Sequence, residues 1–117
     1  KNWRDAWGLG SFPFYFVQIA PYKYGRNDDL AAQLRDAQTS TLALENTGMA
    51  VIMDVGNPTD IHPANKKDVG ERLALWALAK DYGIGTEYSG PMYESMTIEG
   101  NKVSVNFSFS LKESPAL

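Results

Sequence analysis

Twice in succession the chain runs from a short apolar stretch into a stretch patterned as a helix, and that alternation constrains its fold more than any other feature. Residues 14 to 20, Phe-Tyr-Phe-Val-Gln-Ile-Ala, are aromatic and β-branched and almost wholly apolar. This is the pattern of a strand covered on both faces. Residues 49 to 54, Met-Ala-Val-Ile-Met-Asp, form the second such run. Between them the spacing predicts a helix reaching about residue 45, with Asn27 as its cap and Asp28 and Asp29 set against the helix dipole. Leu30, Leu34, Ala37, Thr41 and Leu44 recur at intervals of four and three, and are expected to form one inward stripe. Arg35 and Gln38 lie beside that stripe and read as solvated.

A second helix is predicted over residues 66 to 82. Asn65 with Asp68 three positions on resembles a capping box, Val69, Leu73, Trp76, Ala77 and Lys80 share a face, and Gly83 supplies the stop. The order βαβα predicts an α/β fold, part of a parallel sheet with helices packed on it. After Gly83 the character changes. Residues 94 to 98 and 102 to 109 alternate around Glu99-Gly100-Asn101, a hairpin signature that sends Val103, Val105, Phe107 and Phe109 to one face and Ser104, Asn106, Ser108 and Ser110 to the other. That apolar face needs a partner, and residues 111 to 117 supply none. The expected organisation is therefore an α/β part over residues 1 to 90 and a hairpin opening a β-rich region over residues 91 to 117, in a chain that is a piece of a larger unit. Two strands suited to a wider sheet leave edges that predict a homo-oligomer for the piece alone.

Composition narrows the partners. A chain of 117 residues with 44% apolar content suits one small domain, and a net charge of −3 without any basic run offers no footprint for nucleic acid or for an anionic membrane. No apolar run approaches the roughly 18 to 20 residues that span a bilayer. The absence of cysteine excludes disulfides, thiolate nucleophiles and thiolate metal sites, and leaves the compartment open.

The only histidine, His62, falls in Asp54-Val-Gly-Asn-Pro-Thr-Asp-Ile-His-Pro63, between the second strand and the second helix. Loops at that place in α/β sheets commonly carry chemistry. Imidazole exchanges protons near neutrality, and Asp60 two residues earlier is placed to orient it. The bland reading, a loop histidine that helps to start a helix with Pro63 fixing the entry, stands beside the catalytic one. A metal site from Asp54, Asp60 and His62 is disfavoured by the single imidazole, and Asp54 serves equally as a carboxylate satisfying loop amides. Ser11, Ser40 and Ser89 make poor nucleophiles, since none lies on a Gly-x-Ser-x-Gly turn. Trp3, Trp7, Tyr15 and Tyr22 could stack on a sugar, although aromatics in and beside an apolar strand more often belong to a core.

Several stretches taken together carry a resemblance. Trp3-Arg4, Trp7-Gly8, Pro13-Phe14, Phe16-Val17-Gln18, Leu34-Arg35 with Gln38, Gly48-Met-Ala-Val51, Asp60-Ile-His-Pro63 with Lys66, Val69-Gly70, Arg72-Leu73-Ala74, Tyr82-Gly83, Gly90-Pro91 and the hairpin resemble the sialate O-acetylesterases, carbohydrate esterases of the SGNH hydrolase superfamily. The resemblance implies a three-layer α/β/α sheet of which this chain holds two β-α units at the C-terminal side of the catalytic domain. It implies hydrolysis of O-acetyl esters of sialic acid or related sugars without a cofactor, in a periplasmic or secreted enzyme. His62 matches the family's catalytic base, while the serine nucleophile and oxyanion groups are expected upstream of Lys1, so the piece alone is expected to be inactive. Asp60 matches less closely. The superfamily usually spaces its aspartate three residues before the histidine, and Thr59 occupies that position here. A non-catalytic module that binds carbohydrate through its aromatics is the alternative function.

Overall fold

The computed structural model describes residues 2–25 and 29–108. Helix α1 (Asn2–Trp7) precedes strand β1 (Phe14–Val17), helix α2 (Asp29–Ser40) ends in a 3-10 turn (Thr41–Ala43), and strand β2 (Thr47–Ala50) leads through a loop to helix α3 (Lys66–Lys80). Strands β3 (Met92–Glu99) and β4 (Lys102–Ser108) follow. The predicted βαβα order is present, and β1 and β2 are parallel, with Phe14 beside Thr47 and Val17 beside Ala50. The two strands carry helices on opposite faces. Tyr15 donates its hydroxyl to Asp81 just beyond α3 and packs near Trp76, whereas the neighbouring even-numbered Gln18 bonds into α2. Such alternation follows from the two-residue period of a strand.

Helix α3 matches its sequence pattern closely. The Asn65 side chain accepts from the Asp68 amide at 3.2 Å, Trp76 is buried, and the helix ends at Lys80, just ahead of Gly83. The Trp76 indole donates to the Met49 carbonyl at 3.0 Å on the outer edge of β2. A side chain at Gly48 would stand 2.6 Å from the same indole, so glycine there is what lets α3 lie close on the sheet.

Helix α2 departs from expectation in two ways. It stops at Ser40 rather than near residue 45: the Thr39 and Thr41 hydroxyls turn back onto the Arg35 and Ala37 carbonyls, and Asn46 reverses the chain with φ 52°. Its apolar stripe also points outward, with Leu30, Leu34, Ala37 and Leu44 exposed and Ala31, Arg35, Gln38 and Thr39 half-buried instead. The reason lies in β1, which ends as a strand at Val17 and not at residue 20: the Gln18 amide still donates to the Ala50 carbonyl at 3.0 Å, but the Val17 carbonyl and Ile19 amide lie on the opposite edge, which no described strand pairs, and polar side chains must satisfy them. Gln38 accepts from the Ile19 amide at 2.9 Å and donates to the Val17 carbonyl at 3.3 Å, much as a neighbouring strand would. Buried Gln18 donates to the Arg35 carbonyl and the Thr39 hydroxyl. The predicted cap Asn27, with Asp28, lies outside the described residues.

Strand β2 spans Thr47–Ala50 rather than residues 49 to 54, because a turn closes at once between Ile52 and Val55. Helix α1, which sequence periodicity did not reveal, is tied down by Arg4. Its guanidinium donates to the carbonyls of Phe12, Glu45 and Asn46 and so joins the entries to β1 and β2.

The hairpin pairs as expected, but Glu99 lies opposite Lys102, so the turn is the two residues Gly100 and Asn101 rather than three, and the first strand starts two residues earlier than predicted. Val103 faces Ile98, Val105 faces Met96 and Phe107 faces Tyr93, all of them between 45% and 66% exposed. Phe109, Ser110 and residues 111 to 117 lie outside the described residues. Among the described residues, no helix is long and apolar enough to cross a membrane.

Candidate active site

Residues 51 to 65 leave the carboxyl end of β2 and return to the first turn of α3, and short side-chain turns shape this loop. The Asn57 carboxamide oxygen accepts from both the amide and the hydroxyl of Thr59, each at 2.9 Å. Asp60 repeats the device one step on, its Oδ1 accepting from the His62 amide at 2.8 Å. Asparagine and aspartate favour such turns because their short side chains reach an amide two residues ahead. Pro63 is buried, which fixes the chain immediately after His62.

The same Asp60 oxygen lies 3.5 Å from His62 Nδ1. The turn that binds the His62 amide is what brings Oδ1 to this ion-pair distance from the imidazole. Thr59, at the position three residues back, is turned to Asn57 instead. The His62 side chain is 86% exposed and that of Asp60 58%. Nδ1 thus faces an anion on a ring that is largely open to solvent.

At its base the loop is clamped by charge. Arg72 of α3 grips Asp54 with both nitrogens, at 2.5 and 2.6 Å, and donates to the Val51 carbonyl at 2.7 Å. This two-pronged pairing holds the Asp54 carboxyl down at about 2, with the Arg72 hydrogen bond as the largest cause and a bond to its own backbone amide next. The Asp54 side chain is thus committed to Arg72. Among the described residues, no group of three histidine, cysteine or acidic side chains is placed to hold a metal ion. A further support comes from the segment after β1, where the Lys23 amide donates to the Pro58 carbonyl at 3.1 Å and Pro21 packs against Gly56.

The remaining candidates lie elsewhere. Ser11 meets Asn46, Ser40 closes α2, and Ser89 donates to the Gly90 carbonyl. Among the described residues, none donates a hydroxyl to the His62 ring. Tyr15 is an interior residue whose hydroxyl is pushed up to about 12, chiefly by burial and then by Asp81. Tyr22 packs edge-on to Tyr24. Trp3 and Trp7 stack nearly parallel and stay 59% and 61% exposed. Sequence reasoning missed Arg72, Gln18 and Gln38. A spacing signal for Arg72 was its place two turns beyond the Asn65 cap, on the helix that follows the strand end carrying Asp54.

No family model matches the chain. It is 30% identical over 128 aligned residues to the human sialate O-acetylesterase and 28% identical to that of the mouse, in each case over 93% of this chain and 24% of the relative. Among solved structures, it superposes with a TM-score of 0.84 on a carbohydrate acetylesterase from Xanthomonas citri, with 46% identity over 92% of this chain and 26% of that one. The chain thus spans about a quarter of the length of the proteins it matches.

Proposed function

The chain belongs to the sialate O-acetylesterase family, and from that premise we propose that it supplies the general base of a serine esterase that removes acetyl groups from O-acetylated sugars, sialic acid among them. The observation that carries this reading is the contact of Asp60 with His62 Nδ1, on a loop braced from both strands and from α3. A carboxylate at Nδ1 selects the tautomer whose Nε2 accepts a proton, and stabilises the imidazolium that results.

In the proposed reaction, Nε2 takes the proton from a serine contributed by a part of the enzyme outside these 117 residues. The serine oxygen attacks the acetyl carbonyl, and the imidazolium then returns the proton to the sugar oxygen as the ester bond breaks. Water, deprotonated by the same nitrogen, hydrolyses the acetyl-enzyme and releases acetate. Asp60 is a positioning residue in this scheme. Residues 1 to 90 belong to the catalytic domain and residues 91 to 117 begin a β-rich region.

The test is acetate release from O-acetylated sialic acid by the full-length esterase. His62→Ala is expected to lower kcat by about 10^6-fold, and Asp60→Asn by no more than about 10^4-fold. Turnover at the wild-type rate in the His62→Ala enzyme would end the assignment. The exposed Trp3–Trp7 stack favours a second reading, a carbohydrate-binding module, which predicts glycan binding that survives His62→Ala while no acetate release depends on that residue.

A further inference from the structure

The His62 side chain is 86% exposed and its ring faces the Asp60 carboxylate of the same loop, so the ring goes wherever the loop backbone carries it. Two of the loop's supports are local or belong to the following helix: the Asn57 and Asp60 turns, and the Arg72 clamp on Asp54. Neither relates His62 to the neighbouring strand. A base must nevertheless be registered against groups presented at other strand ends, because these are where the nucleophile and oxyanion donors of such sites stand.

Two contacts with the segment after β1 make that connection, and the closer is at Gly56. Gly56 meets the segment that continues from β1 so closely that an added Cβ would stand 2.5 Å from Pro21 Cγ, nearer still to Pro21 Cδ, and 2.8 Å from the Pro21 carbonyl oxygen. Two residues further on each chain, the Lys23 amide donates to the Pro58 carbonyl. Gly56 does not have the positive φ of Gly83 or Gly100, so its backbone accepts an L side chain and only the contact excludes one. This separates a fitting role from a conformational one.

We infer that Gly56 is a positioning residue for His62, its missing side chain allowing Pro21 to set the His62 loop against the end of β1. The inference rests on the catalytic reading of His62. Filling the position pushes the loop away from Pro21 and carries Nε2 off line, and a displacement near 1 Å costs roughly 100-fold in rate.

The experiment compares variants of the full-length esterase on an O-acetylated sugar. Gly56→Ala is expected to lower kcat about 10- to 100-fold with KM nearly unchanged. Adding Pro21→Gly to Gly56→Ala removes the obstructing ring but keeps the Pro21 carbonyl oxygen 2.8 Å from the added Cβ, so kcat should recover only in part. Gly70→Ala, where an added Cβ meets nothing within 4 Å, should keep wild-type kcat. Should Gly56→Ala fail to fold, Pro21→Gly alone decides: it overpacks nothing, and loss of the brace predicts a lower kcat at unchanged KM. Wild-type kcat in Gly56→Ala, or wild-type kcat in a lone Pro21→Gly, would overturn the inference. An inactive His62→Ala beside a fully active Gly56→Ala rejects this inference alone, whereas a fully active His62→Ala rejects the catalytic reading beneath it.

Discussion

Helix α3 lays Trp76 on β2 and keeps Lys80 in water, whereas α2 presents Gln38 and Thr39 to β1 and leaves Leu30 and Leu34 56% and 45% exposed. Both helices flank the same two strands, yet one meets the sheet through an aromatic ring and the other through amides. The difference follows from what each strand offers. Strand β2 presents a smooth surface at Gly48 and carbonyls at Met49 and Val51, which Trp76 and Arg72 satisfy from α3. Strand β1 pairs with β2 along one edge only, and its other edge, at Val17 and Ile19, calls for a side chain that both donates and accepts. The Gln38 carboxamide does both. The apolar stripe of α2 therefore does not mark its sheet-facing side.

The comparison breaks first at Trp76. Trp76→Ala removes a buried ring and orphans the Met49 carbonyl, so a loss of about 3–5 kcal/mol is expected in denaturant unfolding. Gln38→Ala should cost less, about 1–3 kcal/mol, because it leaves the Val17 carbonyl and Ile19 amide unpaired without opening an apolar core. If the two costs proved equal, or reversed, the contrast between an apolar and a polar docking face would fail. The smallest effect belongs to the outward stripe. Leu30→Gln with Leu34→Gln should change stability by no more than about 0.5 kcal/mol, while reducing self-association of the chain in light scattering. A large destabilisation would place those leucines inside after all.

The same contrast shows what could be read from the sequence. Asn65 with Asp68, the face holding Trp76 and the hairpin turn all act over short stretches, so their signals were local and legible. The parallel pairing of β1 with β2 followed from the βαβα order. The inward face of α2 was not legible, since it depends on the edge of β1 that faces away from β2 rather than on the helix's own period. Arg72 and Asp54 are 18 residues apart, and Arg4 reaches carbonyls more than 40 residues away, distances over which no spacing rule operates. At the site, His62 stood out because it is the single histidine, and Asp60 because it is near. That Asp60 lies at ion-pair distance from Nδ1 depended on a turn whose second function, holding the His62 amide, could be seen only in three dimensions.

The central claim is that this quarter-length stretch carries the base for a serine supplied from elsewhere in the enzyme. Its most direct measurement is the rate at which a fluorophosphonate, which forms a bond only with an activated serine, labels the full-length esterase and its His62→Ala variant. The account predicts that labelling slows by about 10^3-fold or more in the variant, since an unassisted hydroxyl is a poor nucleophile at neutral pH. Labelling of the His62→Ala enzyme at the wild-type rate would contradict it.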